Sequence, residues 1–158
     1  MQMLFKQRFF SWFDSYDIYG EDGSILYTVK GKMAWGHCLE VYNAHGIHVG
    51  TLKEEVLTWM PRFRMYLNGD HVGDIKKEFS FFKPSFTLDC KGWKVEGNFW
   101  EWDYQIAEVG GGTVAWVSKQ LLNFTDTYTI DVPEAENALM CLMIVLAIDA
   151  AKCSSNNG

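Results

Sequence analysis

The chain has 158 residues, a formal charge of −6, 48% hydrophobic and 16% aromatic residues, and three prolines. That is a normal length for one compact domain, able to bury roughly 70% of the surface its unfolded form exposes. The acidic balance, with an isoelectric point near 5.1, excludes a general nucleic-acid binder, whose phosphate-facing surface needs a basic excess.

Met1 to Trp12 carries Lys6 and Arg8 inside an aromatic run. It has no continuous apolar stretch of signal-peptide form, so a cytoplasmic location is expected. From there strand signals follow one another closely. Asp17-Ile18-Tyr19 leads into Glu21-Asp22-Gly23 and Ile25 to Val29 returns; Leu39 to Tyr42 leads into Ala44-His45-Gly46 and His48 to Leu52 returns. Arg64 to Leu67 runs into Asn68-Gly69, a pair suited to the type I′ turn because both central positions need positive φ. Phe86 to Cys90, Trp93 to Phe99, Tyr104 to Val109, Thr113 to Ser118 and Thr127 to Val132 continue the pattern.

These runs form an internal repeat. Gly23, Gly46, Gly69 and Gly92 recur every 23 residues, and Lys30, Lys53 and Lys76 stand seven residues after the first three. A degenerate fifth unit has Gly112 and Lys119, and the second link of each unit is aromatic, at Trp12, Trp35, Trp59 and Phe82. Such a unit is too short for a helix and two strands but suits a hairpin passing into the next. Roughly twelve strands result, too many for a twisted open sheet to stay flat, and closure into an antiparallel barrel is expected.

Ala138 to Ile148 breaks the pattern: it is apolar throughout, preceded by Pro133, Glu134 and Glu136 and followed at once by Asp149. Helix formers dominate, Pro133 suits a first turn, and the two glutamates favour the positive end of the helix dipole. Its eleven residues rise only about 17 Å, short of the roughly 30 Å of a bilayer core, so no transmembrane segment is expected. A helix apolar on every face needs enclosure on every face. We therefore expect a helix over about 134–150, with Leu139, Leu142, Met143 and Leu146 in the middle of the barrel. Residues 1–152 then form one domain and 153–158 a flexible tail.

The order and spacing of several short stretches resemble the LURP-one-related family. They are Phe10-Ser11-Trp12, Glu21-Asp22-Gly23, Val29-Lys30-Gly31-Lys32, Lys76-Lys77-Glu78-Phe79, Tyr104-Gln105-Ile106, Val117-Ser118-Lys119, Asp126-Thr127-Tyr128 and Leu146-Ala147-Ile148-Asp149. The resemblance covers about Leu4 to Lys152. It implies a fold like the C-terminal domain of tubby proteins and the phospholipid scramblases, a closed barrel of roughly twelve strands threaded by a hydrophobic C-terminal helix. No tubby ligand motif aligns residue by residue, and Asp126 to Glu136 lacks the dense oxygen spacing of a calcium loop.

Catalytic signatures are scarce. Cys38, Cys90, Cys141 and Cys153 form no C-x-x-C pair, which reads as buried thiols rather than a disulfide framework or zinc site. His37 and Cys38 are neighbours, so on a strand they point to opposite faces. His45, His48, Asp70 and His71 lie in equivalent turns and read as solvated polar residues, with a transition-metal site as the sharper alternative. No cofactor is implied, and a non-enzymatic protein is expected. The lysines Lys30, Lys53, Lys76 and Lys119 suit an anionic lipid or phosphoinositide headgroup, or else simply keep strand ends soluble. The sequence thus leaves a lipid-binding scaffold peripheral to a membrane beside a protein-interaction module or a small-molecule barrel of undiscovered activity.

Overall fold

The structure, a computed structural model, describes residues 1–6, 15–78, 85–99, 101–122 and 125–155. The aromatic links at Trp12 and Phe82 lie outside these residues. Twelve strands precede one helix: β1 (Gln2–Lys6), β2 (Ser15–Gly20), β3 (Ile25–Ala34), β4 (Gly36–Asn43), β5 (His48–Glu54), β6 (Arg62–Leu67), β7 (Asp70–Glu78), β8 (Ser85–Asp89), β9 (Trp93–Asn98), β10 (Asp103–Glu108), β11 (Thr113–Leu122), β12 (Thr125–Asp131) and α1 (Ala138–Ser155).

All twelve strands belong to one antiparallel sheet in the order β8-β7-β6-β5-β4-β3-β2-β1-β12-β11-β10-β9. Its two ends, β8 and β9, are consecutive in the chain and joined by a short turn in which Trp93 N–H donates to Cys90 C=O at 2.8 Å. The sheet therefore curls into a nearly closed barrel. The repeat glycines explain the hairpins at one end: Gly23, Gly46, Gly69 and Gly92 have φ of 79°, 73°, 90° and 67°, the left-handed region that a side chain resists. In the degenerate unit that role moves to Gly110, φ 78°.

Strand alternation sends one face of each strand inward. Val29, Leu39, Val41, Leu52, Phe63, Met65 and Ile75 are at most 1% exposed. They close on α1, in which every residue from Met140 to Ala151 is buried. Leu142, Met143 and Leu146 lie fully within this core, and Leu139 packs against it half-buried. The helix approaches β5 closely at Gly50, where an added Cβ would stand 3.1 Å from Met143 Sδ.

The helix boundaries differ from those expected. Glu134 is extended (φ −102°, ψ 108°) and a 3-10 turn, Ala135–Asn137, intervenes before the α-helix opens at Ala138. At the other end α1 runs on to Ser155, through the first residues expected to form a tail. The helix is still packed past residue 148: Ala150 and Ala151 are buried, and Lys152 Nζ donates to Phe99 C=O at 2.6 Å and sits 4.2 Å from the centre of the Trp102 ring. Asp149 is consequently an interior residue, 4% exposed. Among the described residues no helix is long and apolar enough to cross a membrane.

Candidate functional site

Antiparallel alternation gives the barrel two unlike ends. The glycine turns lie at one; at the other lie the links leaving β3 and β5, where the chain reverses through Trp35 and through residues 55–61. Trp35 is 89% exposed, Trp59 94%, Met33 87% and Leu57 102%. Such exposure is uneconomical for large apolar side chains and marks this end for attention. Leu57 is held at φ 69°, a conformation bulky residues avoid.

The two links pack on each other through Gly36 (φ 83°). A Cβ there would meet Val56 Cγ1 at 2.7 Å and Glu54 C=O at 3.2 Å, so only glycine lets the tip approach. Beside this contact opens a cleft of about 250 Å³ lined by Trp35, Lys53, Glu54, Glu55, Val56, Arg64 and Tyr66. Lys53 and Arg64 are direct cross-strand partners on β5 and β6 and lie on the outer wall.

The carboxylates of the cleft are already engaged. Glu54 Oε2 accepts the backbone N–H of His37 at 2.9 Å and also meets the His37 ring Nδ1. Glu55 Oε1 accepts from Arg64 Nη2 at 3.1 Å, and Glu55 Oε2 lies 3.2 Å from Arg62 Nε, an ion pair too bent for a hydrogen bond. Arg62 Nη2 donates in turn to Asp74 Oδ2 at 2.7 Å. Burial pushes the Asp74 carboxyl up, but hydrogen bonds from Arg62 and His71 outweigh it and hold the group below its ordinary range. Lys53 makes no ion pair among the described residues.

The four repeat lysines do not meet. The register Lys53–Cys38–Lys32 and Lys53–Arg64–Asp74 places Lys30 two residues before, and Lys76 two residues after, the row of Lys53. That stagger is the strand tilt of a barrel, so the three keep one level of the wall yet stand about 12 Å apart. Lys30 lies over the Tyr42 ring at 4.7 Å, and Lys76 pairs with Glu78 at 3.8 Å. Lys119, on β11, is separated from β3 by β2, β1 and β12. Lys53 lines the cleft described above.

Other expected positions are spoken for. Cys38 is buried on the outer wall, where burial pushes its thiol up. His48 Nε2 is 2.9 Å from Thr51 Oγ1, and His71 Nε2 is 2.7 Å from Asp74 Oδ1, so these two histidines serve their own strands. Among the described residues no three His, Cys, Asp or Glu side chains are grouped to hold a metal. Arg64, Glu55 and the exposure of the two tryptophans escaped the sequence reading; the aromatic links carried the one available signal.

Comparison with known proteins places this geometry. The family model for LURP-one-related proteins matches residues 1–149. The chain belongs to the LURP-one-related family. It is 25% identical over 150 residues to the uncharacterized protein YxjI of Bacillus subtilis (strain 168), covering 94% of this chain and 92% of that one. The X-ray structure of a protein from Arabidopsis thaliana is similar with a TM-score of 0.65 at 18% identity, over 94% of this chain and 89% of that one, which supports the shared fold.

Proposed function

We propose that this LURP-one-related protein is a non-enzymatic binding barrel that takes the phosphate of an anionic lipid headgroup in the cleft between the β3–β4 tip and the β5–β6 link. The observation that carries the reading is Lys53, an exposed cation without an ion pair among the described residues, set beside Arg64 in a cleft of about 250 Å³. Ammonium and guanidinium groups on adjacent strands suit phosphate oxygens through charge-assisted hydrogen bonds. A barrel lumen filled by α1 leaves little room for a substrate cavity, which supports a binding role over catalysis.

The test is sedimentation with phosphatidylserine vesicles at low salt. Lys53→Glu combined with Arg64→Gln should weaken binding about tenfold or more, since each cation near an anionic surface contributes about 1 kcal/mol. Lys94→Glu, on β9, should bind like the wild type. Equal binding by all three proteins would move the ligand away from this cleft.

A further inference from the structure

The two ends of the barrel differ in charge. The glycine turns and the loop before α1 expose Glu21, Asp22, Asp70, Glu108, Glu134 and Glu136. Among the described residues there, Lys91 is the lone lysine or arginine. The opposite end is near charge balance: on its wall Lys32 pairs with Glu40, Arg62 with Glu55 and Asp74, and Arg64 with Glu55, while Lys53 makes no ion pair among the described residues. Beyond them stand the side chains of Met33, Trp35, Leu57 and Trp59. Charge alone would leave that tip polar. Instead four large apolar residues stand at the extremity, on two links locked together at Gly36.

We infer that Met33, Trp35, Leu57 and Trp59 form an interfacial anchor that enters the headgroup layer of an anionic bilayer. This rests on the headgroup reading above and commits the ligand to a lipid in a membrane rather than a free phosphate. Three features select that occupant. The apolar groups project from two separate tips, which suits a fluid surface. Indoles favour the boundary where one side is apolar and the other wet. An anionic surface repels the acidic turns at the far end, while the wall behind the tips is near charge balance and offers Lys53, so charge orients the molecule tip-first.

The experiment uses the full chain and vesicles of phosphatidylcholine with phosphatidylserine, with and without brominated acyl chains. Tryptophan fluorescence of the wild type should fall on brominated vesicles. Trp35→Ser with Trp59→Ser should remove that quenching and lower vesicle affinity about tenfold. Leu57→Asn, which suits the left-handed backbone but not the bilayer, should lower affinity while its melting temperature holds or rises.

If the double tryptophan variant binds vesicles as the wild type does, the anchor is refuted and the headgroup reading stands. If Lys53→Glu with Arg64→Gln keeps full affinity and quenching, the anchor stands and the headgroup reading fails. Binding of glycerophosphoserine in solution without attachment to vesicles overturns the anchor. So does a dimer, seen without lipid, that the tryptophan changes convert to monomer, because the occupant would then be a second copy of this chain.

Discussion

Asp149 is a carboxylic acid held in the interior, 4% exposed. Set on α1 among apolar neighbours, its carboxyl is pushed up from 3.8 to about 7 by burial, with Lys152 pulling the other way. Tyr104, fully buried, is raised well above its ordinary range by burial and then by the Asp149 charge. The folded chain therefore keeps a proton that the unfolded chain releases above about pH 4. Stability should fall as pH rises from about 4 to about 7, by up to about 1.4 kcal/mol per unit from this group, and level off beyond. Asp149→Asn should remove that slope in urea denaturation; parallel pH profiles for variant and wild type would contradict it. Gly36→Ala belongs to the same scale. Its positive φ and the Val56 contact predict a loss of roughly 1–3 kcal/mol, and calorimetry would show it as a lowered melting temperature.

At the scale of elements, α1 is to the barrel what a second sheet is to a sandwich. Without it the inward side chains of β5, β6 and β7, which the helix touches, would line an empty lumen. Ending the chain before Pro133 should yield aggregated or molten material, and Leu142→Asp, which buries an unpaired charge, should cost more than about 4 kcal/mol. A cooperative transition from the truncated chain would show that the strands close without their core. The helix was legible because its run is apolar on every face. Its ends were not: the helix expected to close near residue 150 runs on to Ser155, and what Lys152 packs against there, Phe99 and Trp102, comes from the distant link before β10.

Across the whole molecule, the repeat was legible for a local reason. A glycine held at positive φ is a property of four consecutive residues, so the 23-residue spacing survives in any reading of the chain. The partners of the lysines are properties of register. Lys53 lies beside Arg64, and Arg62 reaches both Glu55 and Asp74, across strands that the sequence separates by turns and links. Equivalent lysines in successive hairpins looked like one site because they share a level; the barrel spreads them along its wall. What does converge is a cleft and an apolar tip at one end, and a carboxylate-rich rim at the other.

Hydrogen–deuterium exchange of the full chain with and without anionic vesicles tests that polarity directly. New protection should fall on residues 33–36 and 53–66, while the turns at Gly23, Gly46 and Gly69 exchange as in free protein. Protein that sediments with the vesicles but gains its protection at the glycine turns, or gains none at 33–36 and 53–66, would contradict the account.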